Sequence, residues 1–520
     1  MSNDDNKPLT RLTDKLQDLK DEFGNRIENS DFETWLKGVK EEVGDGIEMM
    51  ARRARGVFNP NLVTMQLKDI QSIVLRERPA PYFGTVVALK INNADVGKQM
   101  LAQVLPHVTG SEDWHKDMQA TLSIVMTYEG LQALGVPQSS LDSFPESFKA
   151  GMAARAEQLR DFDVNAPENW MAPFGDKGDI HVGAAIIADT KDKWQAKLDE
   201  LRDNLTDHID VDNPANGDVE ILIEQDFGSN DNVKNVFGYR DGISNPEIQG
   251  SGIQTPSNHD GDPIAAGEFV LGYEGEAGIV APMPQPEVLG KNGSFMVLRA
   301  YHSHVATFNK YRKDNTDSEE EAELLGAKMW GRWRSGAPLV LSPDHDDKAL
   351  GDDPSRNNDF GYKDDPYGKK CPFGAHIRRM NPRDSEDFIL SDVRIHRIVR
   401  RSVGFGEVVP PDVIEDDGKD RGLFFIGINA HAMETVEFLQ SQWINDGNFM
   451  SLGEEKDPMV GLHFGDKGGS DKDSDADTFT VPADPIRKRY HGIETFNTLH
   501  GGEYFFIPSL SALKWISELS

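Results

Sequence analysis

The chain has almost no cysteine. Its 520 residues include one, Cys371. A disulfide within the chain is therefore excluded, and so are zinc and iron–sulfur sites built from several cysteines. Any metal or cofactor has to be held mainly by other side chains, with Cys371 as the single thiolate on offer.

Long apolar runs are missing as well. No stretch approaches the roughly 18 consecutive apolar residues that a membrane-spanning helix needs. The first ten residues, MSNDDNKPLT, are polar and acidic and lack the basic and apolar regions of a secretory signal. We therefore expect no membrane segment and a cytoplasmic location.

Basic residues are scarce relative to acidic ones. The chain has 55 Lys and Arg against 88 Asp and Glu, a formal net charge of −33. Such a surface repels nucleic-acid phosphates and anionic membranes, so neither is expected as a partner. It favours neutral or cationic small molecules, although a well-solvated surface explains the same charge.

The apolar pattern divides the chain into three parts. Helical spacing of leucines predicts a helical extension over residues 1–65. Beyond it, strand–helix–strand signals occur twice over 66–290 and recur over 291–520, an order typical of ferredoxin-like units. We predict an α+β fold of two such domains in tandem, with antiparallel sheets. The predicted strands are 82–91, 121–127, 181–188, 219–224, 294–301, 422–428 and 504–508.

The segment FGYRDGISNP (237–246) places Asp241 between Gly238 and Gly242. Glycines permit positive φ and a close approach of backbone to a flat ligand. A carboxylate held between them can act as a general base. The alternative is an ordinary Asp-Gly turn, which occurs by chance in a chain that is rich in both residues.

The segment CPFGAHIRRMNPR (371–383) places His376 among apolar neighbours. A neutral imidazole suits iron or zinc, whereas a lone histidine is often a structural residue. Cys371 followed by proline is a rival, because a thiolate also ligates haem iron. Arg378, Arg379 and Arg383 are suited to binding carboxylates, or to salt bridges on an acidic protein.

Two further segments carry inward-facing candidates. In RIHRIVRRSVGFG (394–406), apolar residues between the arginines indicate a buried element, where a guanidinium needs an anionic partner. In RGLFFIGIN (421–429), Leu423 and Phe425 share a face if the segment is a strand. They are expected to line a pocket, to pack the core, or both.

Taken together, these segments resemble those of dye-decolorizing peroxidases, and more closely the larger subfamilies with long insertions. The resemblance runs from about Arg76 to Leu513 and leaves out the N-terminal extension. Further blocks fit in the same order, namely TYEGLQALGVP, FPESFKAGMAARA, GEFVLGY, GSFMVLRAY, GRWRSGAPL, EFLQSQWINDGNF, DPMVG and HGGEYFFIPSL.

The resemblance implies one haem b, held mainly by the C-terminal domain. It assigns His376 as the proximal iron ligand and Asp241 as the distal acid–base residue, with Arg400 beside it. Arg401 is adjacent, so the choice between the two arginines stays open. The remaining residues implied in cofactor binding are Gly242, Arg378, Leu423, Phe425 and Asp457, of which Asp457 supports the histidine.

The implied function is a haem-dependent peroxidase. It would reduce hydrogen peroxide and oxidise dyes, phenols or other bulky organic donors through a ferryl intermediate. Bulky donors are expected to react at the surface, with Trp443 preferred over Trp330 and Trp333 as an electron relay and core packing as the alternative. A homo-oligomer is compatible with the sequence, which leaves the oligomeric state open.

Two other functions compete with this one. A haem-handling or iron-releasing protein of the same fold would bind the same cofactor, and an acidic binding protein would hold none. The joint presence of Asp241 and Arg400 favours the peroxidase, because a haem carrier has no need of a distal acid–base pair.

Overall fold

The computed structural model describes residues 65–113, 120–175, 180–206, 208, 217–228, 233–252, 263–385, 392–464 and 477–520. The helical extension predicted over 1–65 lies outside the described residues, except for Met65. None of the described helices is both long and apolar enough to cross a membrane.

Four short strands, at 399–400, 403–405, 479–481 and 488–490, add to the seven that the sequence predicts, so the described residues form eleven strands. They are β1 (Phe83–Ile91), β2 (Thr121–Met126), β3 (Val182–Ala188), β4 (Val219–Gly228), β5 (Ser294–Ser303), β6 (Val399–Arg400), β7 (Val403–Phe405), β8 (Gly422–Asn429), β9 (Phe479–Val481), β10 (Lys488–Tyr490) and β11 (Asn497–Ile507).

The described α-helices cover the faces and ends of these strands. They are α1 (Ser72–Leu75), α2 (Ala94–Val104), α3 (Tyr128–Ala133), α4 (Gln138–Leu141), α5 (Glu146–Ala150), α6 (Ala156–Leu159), α7 (Lys191–Thr206), α8 (Glu287–Gly290), α9 (Val305–Asp314), α10 (Glu319–Trp330), α11 (Lys348–Asp352), α12 (His376–Met380), α13 (Ala432–Phe438) and α14 (Leu510–Ser517). A π-helical turn, Leu439–Ile444, continues α13.

The main sheet repeats one strand order twice. The first half has the order β4-β1-β3-β2 and the second has β11-β5-β8-β6, with β7 also paired to β8. Neighbouring strands are antiparallel throughout. Each half is a ferredoxin-like unit, which confirms the predicted α+β fold of two such units.

The two halves join edge to edge. Strand β2 of the first half meets β11 of the second through the pair Met126 and Phe506. The sequence does not predict this contact, because the paired residues are far apart in the chain and no local pattern marks an edge strand that will be covered. The outcome is one continuous sheet.

Strand β11 is longer than the sequence indicates. It begins at Asn497 instead of 504, and its register against β5 shifts between Leu499 and Gly501. Apart from Leu499, the added residues, NTLHGGE, are polar or glycine, and glycine in a strand weakens the pattern and marks irregularities. Pairing with β5 holds these residues in a strand although their own strand propensity is low.

A buried ion pair fixes the middle of β5. Both terminal nitrogens of Arg299 bond the Asp161 carboxylate, at 2.8 and 2.6 Å, and its Nε donates to the Tyr301 hydroxyl at 2.7 Å. Arg299 and Asp161 are almost completely buried, and a guanidinium is tolerated there only with an anionic partner. The pair therefore holds Tyr301 on the strand face that lines the cavity described next.

Candidate active site

A cavity of about 230 Å³ brings the predicted segments together. It lies against β5, β8 and α12 and reaches the loop that carries Asp241. Six of the predicted site residues line it, namely Asp241, Gly242, His376, Arg400, Leu423 and Phe425. Residues from four separate sequence segments thus share one enclosed space.

His376 is the first residue of α12 and is prepared to bind a metal. Its Nδ1 lies 2.9 Å from Oδ2 of Asp457, whose Oδ1 accepts the N–H groups of Met459 and Val460. Since Asp457 is completely buried and does not line the cavity, it holds the ring from behind. With Nδ1–H donating to Asp457, the lone pair of Nε2 is left for a metal.

The charge on Asp457 supports this tautomer. Burial opposes ionisation of the carboxyl, but His376, Arg379 and the Met459 N–H outweigh burial, so the pKa of Asp457 lies below its usual value. Asp457 is therefore an acceptor, and the predicted support of His376 by Asp457 has the geometry that the role requires.

Cys371 is not placed to compete with His376. Its side chain is completely buried and does not line the cavity. Burial raises the pKa of the Cys371 thiol to about 11, which disfavours the thiolate that a metal would need.

Arg378 does not line the cavity, in contrast to the expectation that it contacts the cofactor. Its guanidinium bonds the Asp365 carboxylate at 3.0 Å and the Cys371 carbonyl at 2.7 Å. It also lies over the rings of Tyr362 and Phe373, at 4.2 and 4.5 Å. Arg378 instead stabilises the loop that precedes His376, because a short helix sends neighbouring side chains in different directions.

Asp241 is held by two donors. Its Oδ1 accepts the N–H of Gly242 at 2.7 Å, and its Oδ2 lies 2.9 Å from Nη2 of Arg78. The Asp241 side chain is 23% exposed, and that of Arg78 is 10% exposed. The carboxylate is thus oriented at the wall of the cavity.

The two neighbouring arginines face different environments. Arg400 lines the cavity, and its Nη2 donates to the carbonyl of Ile243 in the Asp241 loop. Arg401 is buried away from the cavity and donates from Nε to the Ile73 carbonyl at 2.9 Å. Arg400, and not Arg401, is therefore the guanidinium placed near Asp241.

Leu423 and Phe425 share a face of β8, as their alternation predicts. They pair across the sheet with Tyr301 and Arg299 of β5, which fixes their register. Both side chains are partly exposed and line the cavity together with Arg400.

The wall of the cavity suits a large anionic ligand. Arginines dominate its charged groups, and for Arg332 burial and the nearby Arg383 lower the pKa to about 9. The bonds of Arg332 go to two backbone carbonyls and the amide of Asn358 and to no carboxylate. The arginines at the wall are Arg240, Arg332, Arg383, Arg397 and Arg400.

Unpartnered polar atoms at the same wall point to a missing ligand. Both side-chain amide atoms of Asn381 and the indole Nε1 of Trp330 are buried without a hydrogen-bond partner. The Trp330 ring packs edge-on against His376, with centroids 5.6 Å apart. A histidine ligand, surplus cations and apolar walls together fit a haem with its propionates.

Arg78 is the contact that sequence reasoning missed. It bonds Asp241 from 163 positions earlier in the chain, and its own segment, RERPAPYFG, carries no motif. Arg332 was also missed, although it stands in the quoted block GRWRSGAPL. An arginine placed between Gly331 and the aromatic Trp333 is the signal that could have found it.

Similar proteins are consistent with this geometry. Residues 69–220 match the family described as the DyP dimeric alpha+beta barrel domain. A dye-decolorizing peroxidase of Mycena epipterygia is 32% identical over 460 residues, which cover 82% of each chain. The crystal structure of a fungal DyP-type peroxidase from Auricularia auricula-judae aligns with a TM-score of 0.71 and 26% identity, over 88% of this chain and all of that one.

A protein named for the competing haem-handling function is also similar, but over a much shorter part of the chain. A deferrochelatase of Yersinia pestis is 27% identical over 156 residues, 29% of this chain. The match to the Mycena peroxidase covers most of both proteins, whereas the match to the deferrochelatase covers a short part. The chain therefore belongs to the dye-decolorizing peroxidase family.

Proposed function

We propose that the chain is a haem peroxidase that reduces hydrogen peroxide and oxidises dyes, phenols or other bulky organic donors. The observation that carries the proposal is one cavity with a carboxylate-supported histidine, His376, and a distal pair, Asp241 and Arg400. We take the cofactor to be haem b, because the cavity offers a carboxylate-supported histidine, His376, as the iron ligand and arginines for two propionates.

His376 would hold the iron through Nε2, with Asp457 fixing the ring. When bound, haem would supply the iron that takes up peroxide and passes oxidising equivalents to the donor. Asp241 would accept the proton of peroxide and return it to the departing oxygen. Arg400 would stabilise the negative charge that develops there.

Leu423 and Phe425 would keep large donors away from the iron. Their side chains lie on the face of β8 that lines the cavity, and they would take up space beside the bound haem. Bulky dyes would then give up electrons at the protein surface, through aromatic side chains such as Trp443.

The binding mode is tested by replacing the two rival ligands. We expect His376→Ala to lose the haem Soret band or to shift it strongly, whereas Cys371→Ser keeps the wild-type spectrum. Haem titration of both purified variants measures this, and the ferrous–CO spectrum separates histidine from thiolate ligation. Haem loss in Cys371→Ser, or a thiolate-type CO spectrum, would contradict the assignment.

Iron release separates the second candidate function. A peroxidase should turn over dye with peroxide and retain its iron, while a haem-processing protein should free iron without a donor. We expect dye turnover to exceed iron release by orders of magnitude, because Asp241 and Arg400 serve only peroxide chemistry.

A further inference from the structure

We propose that Arg78 is a positioning residue that holds the Asp241 carboxylate in place for proton transfer. The inference rests on the proposed function, since it assigns a role at the same distal site. Arg78 comes from the segment before β1, in the first half of the chain, and neither its position nor its neighbours mark it as part of a site.

The contacts of Arg78 tie three segments together. Its Nη2 bonds Asp241 at 2.9 Å, and its Nη1 donates to the Ser402 carbonyl at 2.7 Å. Its guanidinium lies over the Tyr82 ring, 4.3 Å from the centroid, and the Tyr82 hydroxyl accepts the Gly404 N–H at 3.2 Å. A guanidinium that is bonded at both terminal nitrogens and stacked on a ring presents a rigid donor to Asp241.

Gly242 makes room for this arginine. A β-carbon added to Gly242 would lie 3.2 Å from Nη2 of Arg78, and the residue has φ of +79°, which disfavours other side chains. The glycine after Asp241 therefore serves the approach of Arg78 as well as the turn. From the sequence alone, Gly242 is expected only to allow a flat ligand to approach the backbone.

Arg78, and not Arg400, donates to the Asp241 carboxylate. Arg400 directs Nη2 to the Ile243 carbonyl, while Asp241 takes its two donors from Gly242 and Arg78. With both oxygens engaged, the carboxylate has one orientation. Each oxygen still has a lone pair for a further hydrogen bond, so Asp241 can accept a proton without leaving Arg78.

If Arg78 orients the Asp241 carboxylate, it should affect the binding of cyanide as well as the reaction with peroxide. At neutral pH cyanide is present as HCN, and when it binds ferric haem as cyanide its proton has to go to a distal base. An Asp241 carboxylate that is misoriented takes this proton more slowly. Cyanide association thus reports on Asp241 without any turnover of peroxide or donor.

The test measures cyanide association with haem-loaded protein by stopped flow. We expect Arg78→Leu to slow it roughly 10- to 100-fold, and Arg78→Lys to retain part of the rate because it keeps the charge. The matched control is Arg202→Leu, which removes an arginine paired with Glu224 elsewhere in the first half and should change nothing.

A double-mutant cycle shows whether Arg78 acts through Asp241. In the Asp241→Asn background, replacing Arg78 should cause no further loss, since the base is already absent. An equal loss in both backgrounds, or a wild-type rate in Arg78→Leu, would overturn the inference. If Arg78→Leu does not load haem, Arg78→Lys serves in the same cycle. Failure of the wild type to bind haem or cyanide would instead contradict the proposed function.

Discussion

Asp241 and Arg400 lie at the same wall of the cavity but are suited to different tasks. Asp241 is a carboxylate and can move a proton, while Arg400 is a permanent cation and can stabilise charge. Their separate bonding supports this division, because Asp241 is held by Gly242 and Arg78 and Arg400 by the Ile243 carbonyl.

We expect Asp241→Asn to slow the reaction with peroxide by about 10²- to 10⁴-fold, because the proton acceptor is lost. Arg400→Leu should slow it by about 100-fold or more, because a charge-stabilising donor is lost. Stopped-flow absorbance of the Soret band measures both rates, at equal haem content. Asp95→Asn is the control, since Asp95 is exposed, pairs with Lys98 on α2 and lies outside the cavity wall. A full rate in Asp241→Asn would exclude Asp241 as the base.

For single residues, the sequence predicts those that belong to motifs and misses those that come together only in the folded chain. His376, Asp241 and Arg400 stand in segments whose letters already indicate chemistry. Arg78 does not, because its partner is distant in the chain. For Arg378 the residue type was correctly seen as an anion binder, but its direction depends on packing, and its anion is Asp365.

Helix α10 connects to the Asp241 loop through one carboxylate. Glu323 of α10 bonds Arg312 at 2.8 Å and Arg334 at 2.6 Å, and Arg334 donates to the Phe237 carbonyl at the start of that loop. Burial opposes ionisation of Glu323, but Arg334 and Arg312 outweigh it, so the pKa of Glu323 lies below its usual 4.5.

We expect Glu323→Gln to lower the free energy of unfolding by about 1–3 kcal/mol at neutral pH, because the buried guanidinium of Arg312 and the largely buried one of Arg334 lose their anion. A depressed folded-state pKa stabilises the protein above pH 4.5, and this contribution is lost as the pH falls through the folded-state value. The difference between wild type and variant should therefore shrink in acid. Denaturant unfolding at neutral and acidic pH measures it.

The control for that prediction is Glu319→Gln on the same helix. Glu319 is about half exposed and lies 3.5 Å from Lys313, so its replacement should cost little at any pH. An equal effect of both replacements, or a difference that grows in acid, would contradict the role given to Glu323.

The π-helical turn after α13 places Trp443 one ring away from the cavity. Its indole is 4% exposed and packs against Phe438, Phe449 and His396, and the His396 ring, 5.3 Å away, lines the cavity. Trp443 is therefore buried, as the core-packing alternative expects, and it contacts the cavity wall through the His396 ring. A relay through Trp443 requires a further step to the donor.

We expect Trp443→Phe to slow the oxidation of bulky dyes and to spare the reaction with peroxide, because phenylalanine is much harder to oxidise than tryptophan. Steady-state rates with large and small donors measure this. Trp333→Phe is the control, since Trp333 is buried outside the cavity wall and donates to the Ser342 carbonyl. Unchanged turnover of every large dye would remove Trp443 from the path.

Whole strands were predictable where burial imposes a strong apolar pattern. Strands β1, β5 and β8 begin and end within two residues of their predicted limits. The first residues of β11 and the pairing of β2 with β11 were not predictable, because both depend on partners that are distant in the chain. The sequence thus predicts the two units but not the edge at which they meet.

At the scale of the whole molecule, charge is distributed in two opposite ways. The chain carries a net charge of −33, whereas the wall of the cavity is rich in arginine. Bound propionates would neutralise the cavity, and the field that a donor meets on approach would then be that of the acidic surface.

We therefore expect donor preference to follow charge and to weaken with salt. A cationic dye should have a lower KM than an anionic dye of similar size and reduction potential at low ionic strength, because the acidic surface attracts it. The Debye length is about 10 Å at 0.1 M, so added salt should raise the KM of the cationic dye and lower that of the anionic one. A neutral phenol is the control and should change little. If salt moves the KM values of the cationic and the anionic dye in the same direction, the acidic surface has no part in selecting donors, and the arginines of the cavity would become the groups to test next.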